Sequence, residues 1–404
     1  MIPFSLQVVF YRTLMLVLKF AAWVLPFREP RLFAGPGASR QLCEAIKADG
    51  VQRLLIVTDA MLVELGLVKR FTDILDELEV GYTVYDGVKP DPSIEQIEAG
   101  VEVLKANDCA AILAIGGGSS IDAAKIIGAR ATNNKSIEKM EGLFKVFRSP
   151  LPLYAVPTTA GTGSEVTVAA VVSNPAEQRK MAIMDLKLVP QMAALDGELM
   201  TGLPAPITAA TGMDALTHAV EAYISKNALR KTDEKALAAT RSIMENLPTA
   251  VNDGSNIEAR QKMAQAAYDA GVAFTAAGVG YVHAISHNFG ARYHTPHGLG
   301  NAIVLPYVLD YSKPRCTDRL AELARVSGLA QGGESESELA DKFIARIREM
   351  NAEFGIPETL KDLRESDIPA ITDAALAEAH FTYAVPHYMD KPTCENLVRR
   401  MLPG

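Results

Sequence analysis

Short apolar runs alternate with stretches of helical spacing through the first half of the chain. Residues 94–106 place apolar side chains three and four positions apart, which predicts a helix. Strands are predicted in four apolar runs, at residues 54–57, 82–85, 109–115 and 153–156. Strands that alternate with helices are typical of a parallel sheet with helices on both faces. The pattern therefore predicts an α/β domain.

The pattern changes near Gly202 and Pro204, after which strand signals nearly vanish. Long Ala-rich segments follow, such as residues 232–246 and 257–270, and they predict helices. A chain of 404 residues is also long for a single core. We therefore predict three parts, which are an apolar helical extension (1–28), an α/β domain with a parallel sheet (29–201) and an all-α domain (202–404).

The N-terminal extension is unusually apolar, since Arg12 and Lys19 are the only charges from residue 2 to residue 27. Ser5, Arg12 and Lys19 are seven apart, so on a helix they form one narrow polar stripe. Charges inside the segment argue against a signal peptide, and a central Lys makes a membrane span costly. Two interpretations stay open, namely a helix docked on its own protein or a dimer partner, and a helix lying on a membrane surface.

Charge and cysteine usage narrow the class of protein. The formal net charge is −8 and no basic run exceeds a pair, which argues against nucleic-acid binding. The four cysteines are scattered without a CxxC, which favours reduced packing thiols and a cytoplasmic location. A metal site in this chain would therefore need nitrogen and oxygen ligands.

Two loops that follow predicted strands have the composition of phosphate-binding loops. The first holds Gly116, Gly117, Gly118 and Ser119, and it opens a helix whose free N–H groups suit a phosphate. It lacks the G-x-G-x-x-G spacing, and a simple tight turn is the alternative. The second loop, residues 157–165, reads PTTAGTGSE and offers several hydroxyl groups, although such clusters are often plain loops.

Asp59 closes the first predicted strand of the α/β domain. A carboxylate at this place can accept hydrogen bonds from a ribose diol and would repel a 2′-phosphate. An N-cap for the helix that follows is an equally good interpretation.

The histidines point to a metal. Four of the seven lie between residues 283 and 297, and a fifth, His218, follows Asp214 by four positions. His283 and His287 have the same spacing, which puts each pair on one helix face. One carboxylate with several imidazoles suits Fe(II), Zn(II) or a similar divalent ion. The clustering therefore predicts a metal site in the all-α domain.

Four ordered motifs now identify a family resemblance. GGGS at 116–119, PTTAGTGSE at 157–165, GMDALTHAVEAY at 212–223 and the HAISH…TPHG run at 283–298 resemble the iron-containing (group III) alcohol dehydrogenases. The resemblance runs from about Leu32 to the C-terminus. It implies the dehydroquinate synthase-like architecture, with a dinucleotide-binding α/β domain and a metal-binding all-α domain.

The resemblance also implies roles for individual residues. Four of them match metal ligands, and two others match a histidine near the nicotinamide (His287) and an aromatic residue of the substrate pocket (Phe274). The ligands are Asp214, His218, His283 and His297. The matches to dinucleotide contacts are Asp59, Gly116, Gly117, Gly118, Ser119, Thr158, Thr159, Thr162 and Lys180. One departure is Ala169, which stands where a near relative has a polar Asn in its pocket.

The function expected from this resemblance is hydride transfer between NAD(H) and a primary alcohol or aldehyde, assisted by Fe(II) or Zn(II). The protein is expected to act as a homodimer. Two alternatives on the same scaffold are a hydroxyacid-oxoacid transhydrogenase and an NAD-dependent lyase. A lyase of the dehydroquinate synthase kind would need a basic pocket, and residues 212–298 show none.

Overall fold

The computed structural model describes residues 3–24, 27–177 and 179–403, and these form two compact units. The α/β unit holds residues 27–203 together with residues 254–268. The helical unit holds the described residues up to 24, then 204–253 and 269–403, and it includes the first helix, α1 (Phe4–Val24). The three-part division made from the sequence stays a prediction.

The α/β unit is built on a parallel sheet with strand order β1-β9-β6-β4-β2-β3. A smaller sheet has the order β5-β8-β7, in which β7 and β8 form an antiparallel pair. In chain order the elements are β1 (Arg31–Ala34), α2 (Ala38–Ala48), β2 (Arg53–Val57), α3 (Ala60–Glu64), α4 (Leu67–Glu77), β3 (Gly81–Tyr85), α5 (Ile94–Ala106), β4 (Ala111–Gly116), α6 (Gly118–Thr132), β5 (Gly142–Leu143), β6 (Leu153–Pro157), β7 (Ala169–Asn174), β8 (Arg179–Met184) and β9 (Met192–Leu195).

Both faces of the parallel sheet are buried, as the continuous apolar runs predicted. Side chains of a strand alternate between faces, so Leu54 and Ile56 of β2 enter the apolar cluster that contains residues of α2 and α4. Leu55 and Val57 enter the cluster that contains residues of α5 and α6. The predicted α/β fold with helices on both faces is therefore confirmed.

One predicted strand begins later than expected. The apolar run starts at Cys109, but β4 starts at Ala111. The reason is the end of α5, where Asp108 has a positive φ of 50° and the Cys109 amide donates to the Leu104 carbonyl. Residues 108–109 are thus used to close the helix.

The helical unit confirms the second half of the fold prediction. After β9 the described residues contain helices and irregular segments but no strand. The helices after β9 are α7 (Ala205–Ile224), α8 (Arg230–Asn252), α9 (Ile257–Ala277), α10 (Tyr281–Tyr293), α11 (His297–Ser312), α12 (Thr317–Val326), α13 (Glu336–Glu353), α14 (Ile368–Thr382) and α15 (Lys391–Arg399). Of these, α9 is divided between the units, since its residues up to 268 belong to the α/β unit. Helix α7 is central, since it packs against α8, α11 and α12. In the described part of the chain, no helix has the length and apolar character needed to cross a membrane.

Candidate metal centre and dinucleotide loops

Three helices of the helical unit bring the predicted metal ligands together. Helix α7 carries Asp214 and His218 one turn apart, α10 carries His283, and α11 begins at His297. Each residue offers one ligand atom, and these four atoms lie within 4.8 Å of one another. Asp214, His218 and His283 are buried, whereas His297 is about one-third exposed. The four side chains therefore form a compact set of three imidazoles and one carboxylate.

A glycine allows α11 to approach α7 this closely. A Cβ atom on Gly298 would lie 2.2 Å from the carbonyl oxygen of Ala210 on α7. No side chain fits at that distance, so glycine is required next to His297. The result is that Nε2 of His297 lies 3.5 Å from Oδ1 of Asp214.

The side-chain amide of Asn301 lies where three of the candidate metal-ligand atoms converge. Its Nδ2 lies 2.7 Å from Oδ1 of Asp214, 3.1 Å from Nε2 of His283 and 3.2 Å from Nε2 of His297. Its own Oδ1 is buried without a hydrogen-bond partner among the described residues. Three acceptor atoms thus converge on one amide nitrogen that has only two hydrogens. Such a convergence of lone pairs suits a divalent cation, so the residues fit a metal ion. Asn301 lies one helical turn after His297, and that spacing was the signal by which the sequence could have revealed it.

Glu221 fixes the orientation of His283. The Nδ1 atom of His283 lies 2.6 Å from Oε2 of Glu221, which also accepts the Gly280 N–H, while Oε1 accepts the Val282 N–H. Burial holds the pKa of His283 well below its usual value, so the ring stays neutral. Nδ1 then donates to Glu221 and Nε2 keeps its lone pair for the metal site.

Burial also raises the pKa of Glu221 to about 7, against the opposing effect of these N–H donors. Sequence reasoning gave Glu221 no role, although it lies on α7 seven residues after Asp214, on the same face.

His287 lies beside the four clustered residues and has a carboxylate partner. Its ring centroid is 5.9 Å from that of His283 and 5.5 Å from that of His297. Its Nδ1 lies 2.8 Å from Oε1 of Glu378, which also accepts the hydroxyl of Tyr383 at 2.6 Å. Burial alone would raise the pKa of Glu378, but these two neighbours lower it. Glu378 and Tyr383 lie far along the sequence, and no local pattern pointed to them.

Phe274 lies against the cluster on the side of His218. The two rings stack with centroids 4.2 Å apart and planes at 17°. The metal-ligand candidate His218 therefore has an aromatic face over it.

The glycine loop of the α/β unit packs directly on the Thr-rich loop. A Cβ on Gly118 would lie 2.7 Å from Cγ2 of Thr162, and one on Gly117 would lie 3.4 Å from Oγ1 of Thr159. The Thr158 amide donates to the carbonyl of Gly116. The structure thus joins these predicted contact residues at the carboxyl ends of the neighbouring strands β4 and β6.

Helix α6 begins at Gly118, directly after the loop. This place offers backbone N–H groups of the loop, threonine hydroxyls and the start of a helix, which together suit the binding of a phosphate. Glycine leaves room there that a Cβ atom would fill.

A buried polar network holds the second loop in place. Asp122 accepts the hydroxyl of Ser164 at 2.5 Å and the Val171 amide at 2.9 Å. Lys125 is fully buried and donates to the carbonyls of Thr167 and Ala169. Burial lowers the pKa of Lys125 to about 8. The network links α6, the Thr-rich loop and β7 by hydrogen bonds.

The remaining two predicted contacts lie on different sheets, Asp59 at the carboxyl end of β2 and Lys180 in β8 of the smaller sheet. Asp59 follows β2, and its side chain caps α3 by accepting the Leu62 amide. Lys180 forms a 2.7 Å ion pair with Asp91, whose amide donates to Ser119 of the glycine loop. Capping is thus one role of Asp59, and its contact with a ribose stays a prediction.

Comparison with known proteins accounts for both halves of the chain. Residues 29–197 match the iron-containing alcohol dehydrogenase family, and residues 208–402 match its C-terminal part. The NAD-dependent methanol dehydrogenase of Bacillus methanolicus is 40% identical over 87% of this chain and 93% of that protein. Lactaldehyde reductase of Escherichia coli K12 is 38% identical over 85% of this chain and 90% of that protein.

Solved structures agree with this assignment. A 1,3-propanediol oxidoreductase superposes with a TM-score of 0.90 at 37% identity, over 94% of this chain and all of that one. An alcohol dehydrogenase from Oenococcus oeni also gives 0.90, at 34% identity, with the same shares covered.

The fold and the His/Asp cluster define a metal-binding oxidoreductase. This chain belongs to the iron-containing alcohol dehydrogenase family. The predicted family and enzyme class are confirmed, and the lyase and transhydrogenase alternatives are not favoured.

Proposed function

We propose that this protein transfers a hydride between NAD(H) and a primary alcohol or its aldehyde, with a divalent metal bound by Asp214, His218, His283 and His297. The observation that carries this proposal is the convergence of their four ligand atoms within 4.8 Å. Membership of an iron-containing family and the NAD dependence of the Bacillus methanolicus relative support Fe(II) and NAD(H). Zn(II) also suits this ligand set.

The chemistry divides between the bound groups and the protein. When bound, the metal polarises the alcohol or carbonyl oxygen, and NAD(H) carries the hydride. The protein holds the ligands in place, with Glu221 keeping His283 in the required tautomer. His287, oriented by Glu378, is the group that moves the proton, and Phe274 offers an apolar face to the substrate.

The dinucleotide is assigned to the α/β unit. The backbone of residues 116–119 and the hydroxyls of Thr158, Thr159 and Thr162 would hold its phosphates and ribose oxygens. Lys180 is assigned to the same site because its ion-pair partner, Asp91, donates its amide hydrogen bond to Ser119. A carboxylate at Asp59 favours NADH over NADPH.

A turnover experiment separates a dehydrogenase from a transhydrogenase. The protein is purified without oxygen, loaded with Fe(II) or Zn(II), and given excess NAD⁺ with a primary alcohol alone. We expect free NADH to accumulate well beyond one equivalent per chain. Formation of aldehyde only when an oxoacid is also added, without accumulation of NADH, would refute the proposal in favour of the transhydrogenase.

We further infer a cytoplasmic homodimer. The inference on location is supported by four buried, free cysteines, which suit a reducing compartment. Light scattering of the purified protein tests the dimer, and a monomeric mass at working concentration would contradict it.

A further inference from the structure

Helix α1 is held against its own unit by one face. The ring of Tyr11 lies 4.7 Å from that of His380 on α14 and stacks on Tyr388 at 5.7 Å. Near the other end of α1, Lys19 donates to the carbonyls of Lys226 and Ala228, at 2.8 and 3.2 Å. These contacts fix which side of α1 faces outward.

The outward side is apolar. Its six large side chains are between 58% and 66% exposed, whereas Tyr11 and Met15 on the opposite side of the helix are buried. These side chains, which we call the α1 apolar face, are Leu6, Val9, Phe10, Leu16, Val17 and Phe20. Phe381 of α14 is 52% exposed and extends the face, with its ring 6.5 Å from that of Phe10. Soluble proteins rarely leave so long an apolar stripe uncovered.

The two charged side chains of α1 itself, Arg12 and Lys19, are both positive. No Asp or Glu occurs before Glu29, whereas the whole chain has a net charge of −8. Arg12 is exposed, and it lies between the buried and the apolar sides of the helix. At the Lys19 end, Lys226 is also exposed, and its Nζ lies 3.5 Å from the backbone carbonyl of another basic residue, Arg315. Among the described residues, no ion pair includes Arg12, Lys19, Lys226 or Arg315.

We propose that the α1 apolar face docks on an anionic membrane surface, with α1 lying in the plane of the interface. An apolar face bordered by cations is the pattern of helices that insert shallowly between anionic headgroups. A helix of 21 residues is about 31 Å long, so a flat orientation brings the whole face into contact. A second copy of the chain is a poorer occupant, because it would place cations of the same sign along both edges of the contact.

Flotation of the full-length, metal-loaded protein with vesicles tests this proposal. Phosphatidylcholine vesicles are compared with vesicles that also contain phosphatidylglycerol. We expect the protein to float with the anionic vesicles only, and to be released by high salt. Replacing Arg12 with Gln should weaken binding about fivefold, which corresponds to about 1 kcal/mol for one cation at such a surface.

The apolar contribution is tested with the double variant Val9→Ser/Leu16→Ser. Both side chains are exposed, so the fold should survive, while vesicle binding should fall by about tenfold or more. The matched control is Phe147→Ser, because Phe147 is 76% exposed in the α/β unit and should not matter for binding. Alcohol oxidation without vesicles should be unchanged in both variants, which separates this test from that of the proposed function.

Three outcomes would overturn the proposal. The first is absence of flotation with anionic vesicles for the wild-type protein. The second is a mass in light scattering that falls for Val9→Ser/Leu16→Ser but not for Phe147→Ser, because a second copy would then cover the face. The third is flotation of the double variant equal to that of the wild type.

Discussion

The Nδ1 atom of His283 lies 2.6 Å from a carboxylate oxygen of Glu221, and both side chains are buried. This contact predicts that Glu221 controls the metal affinity without touching the metal. Replacing Glu221 with Gln puts a weaker amide acceptor in place of the carboxyl group that holds Nδ1 of His283, so metal affinity should fall by about 10- to 100-fold. Competition with a chelator measures this affinity directly, apart from any activity.

The control for this variant is Glu245→Gln, since Glu245 is an exposed carboxylate on α8. It should bind metal like the wild type. An unchanged metal affinity in Glu221→Gln would mean that His283 keeps its tautomer without this partner.

A second prediction concerns the choice between NADH and NADPH. Asp59 caps α3 through the Leu62 amide, so a substitution should keep that hydrogen bond. Asp59→Asn keeps a capping oxygen and removes the negative charge. The preference for NADH, measured as a ratio of kcat/KM values, should narrow severalfold while thermal stability stays close to that of the wild type. A wild-type protein that already prefers NADPH would contradict the assignment.

The third prediction follows from His380, which lies under α1. Burial lowers its pKa to about 4, and its ring is surrounded by neutral groups, namely Phe4, Tyr11, Tyr281 and Tyr388. Its Nε2 lies 2.9 Å from the Tyr281 hydroxyl. Well above pH 6.5 the ring is neutral whether the chain is folded or unfolded. There the free energy of unfolding does not depend on the protonation of His380. Below pH 6.5, the unfolded chain takes up a proton that the folded chain resists until about pH 4.

Acidification across this window should therefore lower the free energy of unfolding by about 3 kcal/mol through His380. The variant His380→Gln has no titrating ring and should show a shallower loss in urea unfolding between pH 6.5 and pH 4. If the free energy of unfolding falls equally with pH in the wild type and in His380→Gln, then His380 does not contribute to the acid sensitivity.

A fourth prediction concerns the alcohol. Phe274 stacks on His218 and is expected to meet the carbon chain of the substrate. Medium-chain primary alcohols should therefore be used better than 1,2-propanediol, with kcat/KM rising severalfold per carbon, since a buried CH₂ contributes about 0.8 kcal/mol. Phe274→Ala should flatten the dependence on chain length, and a wild-type preference for 1,2-propanediol over butanol would disprove it.

The sequence predicted elements well where the local pattern was long and distinctive. The apolar runs of β2, β3, β4 and β6 were predicted, whereas the strands of the smaller sheet (β5, β7 and β8) and the strands β1 and β9 of the parallel sheet were missed. The reason is clearest for β1 and β9. Those two strands are only four residues long and pair with each other, and Met192–Leu195 lacks β-branched side chains. Their pairing joins segments about 160 residues apart, which no local pattern can show.

The metal cluster was predictable because helical spacing and family motifs both pointed to the same residues. Glu221 and Asn301 were detectable in principle, since they share helix faces with Asp214 and His297. Glu378 was not, because its contact with His287 spans 91 residues and depends on how α14 packs on α10. For α1, the sequence left docking on protein and docking on lipid open, and the structure shows that one face packs on α14 while the other is exposed.

The most direct test of the whole account is metal content and NADH formation measured together for the wild type, His297→Ala and the control His294→Asn. His294 is an exposed residue with a left-handed backbone, which Asn tolerates. After loading with Fe(II), the wild type and the control should each bind about one metal per chain and oxidise a primary alcohol. His297→Ala should lose most of its metal, and its rate should fall at least about 100-fold. This loss should exceed that of Glu221→Gln, because Glu221 contacts a ligand and not the metal itself. A His297→Ala protein that keeps both its metal and its rate would contradict the proposed metal centre.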